Sequence, residues 1–514
     1  MFKRIAGLMA QDSGIATMLV VGVVLVLTIL GFAIIARSSN EERITEKSAE
    51  GTKALHVADA GIQQAVWRVE QNMVSKTAPN NFSLVLGDVG GRADVTVEND
   101  GGWYWTITSR GTVNNVSRTV KTTLFYFNLW ETSMSTGEQG IQGGNQSGAI
   151  NGNASFTGPL YVRGGFAVSG DATYEKGPLM IYDGSLQIGG SARVGSPDTS
   201  QQGWYGPIEA YIHPIGDPPV FELRRPDRPI TSTNGPEFYA KRLTTSVPKI
   251  TLPRMKSMDE YRSDASDQSV WTSETGSNTV YRHPDGSNPV NWNYNSGPYG
   301  EKVWDNGDAT YYLNSSTPKF GFGLVTGEQI SGTPKDATLG NMEAIAWNPS
   351  NRTLYFSQNK DATPMTVFIN GNLEIGDNQN SVTYFKGRGT LIVNGTITIH
   401  GRFVASNRAD FPINPLTQES SSVGLVAAQD IMADSGGHLN EADPDYQGAW
   451  YAADTITFTS NNVGFKGTLI TSKLDFAQNA HVWSTSNLSE ALPPSLPGSD
   501  VKIKLISGWR EVIR

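Results

Sequence analysis

From Ile15 to Ala36 the chain reads IATMLVVGVVLVLTILGFAIIA, with neither a charge nor a proline. At about 1.5 Å rise per residue, a helix of this length spans roughly 30 Å of hydrocarbon. That is enough for one membrane crossing and too long for most signal-peptide cores. Lys3 and Arg4 precede the run, which holds the N-terminus in the cytoplasm and sends the rest of the chain outward. No small-residue cleavage site follows the run, so it reads as an anchor and not as an export signal removed behind Ala36. Between Glu41 and Met73 the positions Ile44, Ser48, Gly51, Leu55, Ala58, Ile62, Ala65 and Val69 recur at steps of three and four. They predict an amphipathic helix that extends the apolar one.

The period then changes to two. Phe82 to Leu86, Ala93 to Val97, Trp103 to Thr108 and Val116 to Phe127 alternate between apolar and polar residues, separated by Gly90-Gly91, Asp100-Gly101-Gly102 and Asn114-Asn115. Such segments bounded by turn residues predict a small antiparallel sheet. Trp103, Tyr104 and Trp105 are read as core and helix packing in preference to a binding surface.

From Gly152 a repeat appears. Gly152-Asn153-Ala154-Ser155-Phe156, Gly170-Asp171-Ala172-Thr173-Tyr174 and Gly190-Ser191-Ala192-Arg193-Val194 open units of 18 and 20 residues. The pattern resumes where Val367 to Ile375 matches Leu391 to Ile399 at a step of 24, with looser copies at Gly424 to Met432, Trp450 to Phe458 and Gly467 to Phe476. A short two-strand unit cannot bury its inner face alone, so such units must stack, and a parallel β-helix is the expected arrangement. The two blocks are expected to form one solenoid interrupted by an insertion. Val501 to Ile506 and Trp509 to Ile513 read as a closing hairpin.

A short basic leader ending in Gly14, the apolar stretch Ile15 to Ala36, then Glu41-Glu42-Arg43 and Ala58-Asp59-Ala60-Gly61-Ile62 together resemble the type IV pilin class, in particular the PilX-type minor pilins. TITSRGTVNNVSRTV, the Gly-rich repeats and the tail ISGWREVIR resemble the corresponding parts of the same group. The resemblance implies that a prepilin peptidase cuts between Gly14 and Ile15. It also implies that Leu19, Val20, Val23, Leu27, Leu30 and Ile34 belong to a helix that packs first in the membrane and then among like subunits. Major pilins carry a Glu at the fifth mature position, where its carboxylate neutralises a neighbour's N-terminal amine. Here that position is Leu19. Lacking that pairing, the subunit is poorly suited to repeated incorporation and better suited to a tip.

The expected fold is therefore mainly β with one long N-terminal α-helix. Residues 1–14 are the leader, 15–73 the transmembrane and filament helix, and 80–130 the small antiparallel sheet. A first solenoid block follows at 138–197, an irregular β-rich insertion at 198–360, a second block at 361–480 and C-terminal strands at 481–514.

Composition adds exclusions. Among 514 residues there are 55 Gly, 26 Pro and no Cys, with a net charge of -9. The missing Cys excludes a disulfide framework and a thiolate metal site, and an acidic chain without a basic block argues against nucleic acid as a partner. The six His are not spaced as metal ligands, and no Walker A, dinucleotide or G-x-S-x-G motif stands in a fitting context. Neither a cofactor nor a metal is expected. The acidic group Asp430, Asp434, Glu441, Asp443, Asp445 and Asp454 is read as a solvated loop ahead of a Ca²⁺ site. In the insertion, Trp271, Trp292, Trp304 and Tyr311 are candidates for a ligand surface that stacks on sugar rings, with core filling of an irregular β-rich subdomain as the preferred reading.

These observations lead to a non-catalytic minor subunit of a type IV pilus, acting in pilus assembly or as a tip-located adhesin. It would be anchored by one helix in the cytoplasmic membrane and then carried to the cell surface in the pilus. Its expected partners are other pilins, the assembly machinery, prepilin peptidase and a surface carbohydrate or protein. Two alternatives stand beside it: a surface-anchored β-helix enzyme acting on polysaccharide, and a type II secretion pseudopilin. The repeat faces offer mainly Thr, Ser, Asn and Gly, which suit a scaffold better than acid-base chemistry.

Overall fold

The computed structural model describes residues 2–196 apart from 77, 100–102, 144–145, 148, 151–152, 165 and 183–185. It also describes the pieces 208–213, 237–244, 249–261, 303–313, 323–324 and 346–348, then 351–356 and 365–512 apart from 415, 417–419, 486 and 501. The chain is mainly β with one long N-terminal helix, and it divides into two units, Met1–Tyr126 with Lys504–Arg514, and Phe127–Ile503.

In the first unit a single helix runs from Phe2 to Glu70. Its second half buries Ala54, Val57, Ala58, Ile62, Ala65, Val66 and Val69 against Ala93, Val95, Val97, Ile107, Val113, Val120 and Leu124 of a sheet. The strands are Asn80–Leu86, Gly91–Asn99, Tyr104–Val113 and Val116–Asn128, antiparallel neighbours in chain order. The alternation of the Gly91–Asn99 strand puts Ala93, Val95 and Val97 toward the helix and Arg92 and Asp94 toward solvent. Two glycines allow the close approach of helix and sheet. A Cβ on Gly111 would lie 2.1 Å from the Ala54 carbonyl oxygen, and one on Gly61 would lie 2.3 Å from Ser109 Oγ. Trp103 and Trp105 are buried, and Tyr104 meets Phe125 edge-on at 4.6 Å, in agreement with the packing role expected of this aromatic run.

The closing hairpin expected at the C-terminus is not formed. Lys502–Val512 is one continuous strand, and it becomes the fifth member of this sheet beside Val116–Asn128. Gly508, where a turn was expected, takes φ +67 inside the strand. The edge of a sheet offers a full row of backbone partners, which a detached hairpin would lack.

The second unit is a large, mostly parallel sheet whose strands pair in register, rung on rung. One buried column runs Ala210, Leu179, Leu160, Met134, Leu469, Trp450, Leu425, Leu391, Val367, each residue paired with the next. A second runs Leu373, Ile397, Ile431, Ile456, Leu474, Ile141. A third runs Phe238, Val194, Tyr174, Phe156, Val482, Phe465, Tyr446, Phe403. Glycines recur because rungs touch at their corners: Gly170 and Gly190 both have positive φ, and a Cβ on Gly190 would sit 2.9 Å from the Gly170 nitrogen.

The order of the rungs differs from a simple interruption. The first block does not continue into the second through its last rung. The Asn462–Phe476 strand of the second block instead pairs with Met134–Gly143, the first strand of the first block. The boundaries shift as well. Ile208–His213 and Ala240–Thr244 extend the first block, and Val303–Leu313 pairs in parallel with Met365–Ile375 of the second, so part of the expected insertion belongs to the sheet. Residues 258–261 form a single helical turn, in which the Tyr261 N–H donates to the Ser257 carbonyl at 3.1 Å.

Candidate functional site: the exposed helix and the faces of the stack

Among the described residues, the apolar half of the helix has no packing partner. Leu19, Val20, Val23, Leu27, Leu30 and Ile34 expose between 49% and 67% of their surface. The helix is long and apolar enough to cross a membrane, with none of the apolar window buried. In water so much contiguous apolar surface is strongly unfavourable, which suits this half of the helix to an apolar surrounding such as a bilayer. Polar side chains along it are turned back on the helix. Thr28, Thr45 and Thr52 donate to the carbonyls of Val24, Glu41 and Ser48, and Arg37 pairs with Glu41 at 2.9 Å. Gly14 and Ile15 lie within the helical backbone, and their side chains are outside the described residues.

Of the four aromatics proposed for a ligand surface, Trp271 and Trp292 lie outside the described residues. Trp304 and Tyr311 are on the Val303–Leu313 strand, where their backbones pair with Ile369 and Leu373. Their side chains are outside the description.

The acidic loop is built differently from a solvated patch. Asp430 accepts from the Thr455 N–H, and Asp434 from the Gly401 N–H, with His400 Nδ1 2.7 Å from its second oxygen. Glu441 lies 3.4 Å from Lys466. Asp443 receives Arg402 at 2.5 Å and Arg408 at 2.6 Å, with His438 Nδ1 3.3 Å away. Partial burial works against the charge of Asp443, but the hydrogen bond from Arg402 and the charges of Arg402 and Arg408 outweigh it and hold this carboxyl below its ordinary range. Asp445 is fully buried, one oxygen accepting from the Gly464 and His438 N–H groups. Burial nonetheless pushes its pKa up. These carboxylates fasten one rung to the next, and among the described residues none forms a group of three or more suited to a metal ion. Apart from His438, the partners that occupy them lie 19 to 41 residues away in sequence, out of reach of a local reading.

Asparagines act similarly along the stack. Asn394 donates to Asn370 at 2.8 Å, and Asn479 donates to Asn462 at 2.8 Å while accepting from the Asn153 N–H at 2.9 Å. His481 lies 2.9 Å from the Asn153 carbonyl oxygen, and burial lowers its pKa.

No family model and no curated protein matches the chain. Among solved structures, the crystal structure of the competence-associated pilin ComZ from Thermus thermophilus is similar at 14% identity and a TM-score of 0.37, over 90% of this chain and 97% of that one.

Proposed function

We propose that this protein is a minor, PilX-type subunit of a type IV pilus, non-catalytic, with a β-solenoid head that serves pilus assembly or adhesion at the tip. The observation that carries the reading is the division of labour along one unbroken helix. Residues from Met18 to Ile35 expose apolar side chains, whereas the stretch from Ala54 to Val69 is packed on an antiparallel sheet. A helix built in this way can reside in a bilayer and later exchange lipid for neighbouring apolar helices without refolding its folded half. Cleavage between Gly14 and Ile15 would release the apolar half for that exchange.

Placement at the tip is supported by Leu19 and by bulk. An interior position would leave a neighbour's N-terminal amine without a carboxylate partner at Leu19. Strands of the first column, counted from Ala240–Thr244 to Val303–Leu313, stack to a height of roughly 50 Å at the usual strand spacing, too bulky to repeat at every position of a thin shaft. A non-catalytic role is supported by the acidic loop, whose Asp430, Asp434, Asp443 and Asp445 are held by backbone N–H groups or by basic side chains. Immunogold labelling of purified filaments tests the reading: label is expected at filament ends in one or a few copies, and label spread evenly along the shaft at the density of the major pilin would overturn it.

A further inference from the structure

The junction of the two blocks carries a cavity that the pilus reading leaves unused. Residues 249–254 cross the outer face of the sheet there, fastened by two tyrosines from different blocks. Tyr161 donates to the Ile250 carbonyl at 3.1 Å and Tyr451 to the Pro253 carbonyl at 2.9 Å. Tyr451 is largely withdrawn from water, and burial raises its pKa to about 12, so the hydroxyl stays a donor. Beneath this strap lies a cavity of about 440 Å³ with Gly137 in its wall, where a Cβ would come within 3.1 Å of the Ser472 Cα.

Three cations, Arg163, Lys249 and Arg254, line that space together with the hydroxyl-bearing Thr251 and Ser472, and among the described residues no carboxylate does. Lys249 and Arg254 make no ion pair among the described residues. In an otherwise acidic protein, a walled space lined by one sign of charge concentrates ions of the opposite sign. Its volume suits a ligand of one or two sugar units. We propose that this cavity binds a small anionic ligand bearing carboxylate or phosphate oxygens, with Lys249 and Arg254 as its charge partners and the Ser472 and Thr251 hydroxyls as its neutral donors. Because the cavity is walled by strands of both blocks, it exists only in the joined stack.

Calorimetric titration of the full chain in detergent micelles tests this with digalacturonate and glucose 6-phosphate against neutral maltose and glucose. Either charged ligand is expected to bind while both neutral sugars fail, and the affinity should fall as salt rises. Binding confined to digalacturonate assigns the site to an acidic glycan, and binding confined to glucose 6-phosphate to a phosphorylated one. Lys249→Gln and Arg254→Gln, both at exposed positions, should each weaken binding about tenfold or more while leaving the circular dichroism spectrum unchanged, and Lys249→Arg should retain it. Equal binding of neutral and charged sugars, no binding of any of the four, or unchanged affinity in both Gln variants would overturn the proposal.

Discussion

Leu469 pairs with Met134, so a late strand of the second block lies directly on the first strand of the first block. Both side chains are fully buried, and around them the Thr468 hydroxyl donates to the carbonyls of Trp130 and Thr132 while the Leu469 N–H donates to Ser133 at 3.1 Å. Each block thereby covers an edge that would otherwise expose a row of unpaired backbone groups. Leu469→Ala should cost about 2–5 kcal/mol. Hydrogen exchange should show residues 134–143 losing protection together with 462–476. Protection of 134–143 that is indifferent to this substitution would contradict the joined stack.

The helix and sheet of the first unit meet most closely at Gly111. Gly111→Ala places a methyl group against the Ala54 carbonyl and the Ala58 nitrogen, and overpacking of this kind costs about 1–3 kcal/mol. Gly87→Ala has open space around its new methyl and serves as the control. Thermal melts of the two variants should separate clearly, the first melting lower.

Ile397 stands between Leu373 and Ile431 in a fully buried column. Ile397→Asp would bury a carboxylate between two aliphatic side chains, at a cost of about 3–5 kcal/mol. Chemical denaturation and protease resistance report it, and a variant as resistant as the parent would show that the column is not core.

Asp443 has a folded-state pKa below its ordinary value, so it contributes stability above the unfolded carboxylate range and loses it as pH falls through the lower, folded value. Its side chain is 44% exposed and the pair is screened by water, which limits the effect to about 1 kcal/mol or less. Asp443→Asn should therefore be slightly less stable than the parent at neutral pH. Urea midpoints measured down the pH scale should converge as Asp443 itself becomes protonated. A gap that stays constant into acid would mean that the charge is not what Arg402 and Arg408 hold.

Processing gives the most direct test of the N-terminal reading. The mature protein should begin at Ile15, and replacement of Gly14 by a bulky residue should leave the uncut precursor in the membrane. N-terminal sequencing that starts at Met1, or beyond Ala36, would refute it.

The long helix, the four consecutive strands after it and the stacking of the repeats were legible because each rests on near neighbours. A period of three to four from Ile44 to Val69, alternation from Phe82 to Phe127 and matched copies at Val367 and Leu391 are properties of short stretches. The closing hairpin read over Val501 to Ile506 and Trp509 to Ile513 failed for the same reason. The local signal was real, but the open edge beside Val116–Asn128 offered a continuous strand more hydrogen bonds than a hairpin could make for itself.

The sequence by itself determined which residues face inward on each rung, since alternation and burial follow directly from side-chain chemistry. Which rung meets which was decided only by the tertiary structure. All rungs present similar inner faces and equally unpaired edges, so nothing in one of them names its neighbour. The choice rests on joint satisfaction of distant groups: Met134 on Leu469, Asn153 on Asn479, Arg402 on Asp443. The cavity under residues 249–254 follows from the same cause, because Tyr161 and Tyr451 come onto one face only after the two ends of the repeat have closed on each other.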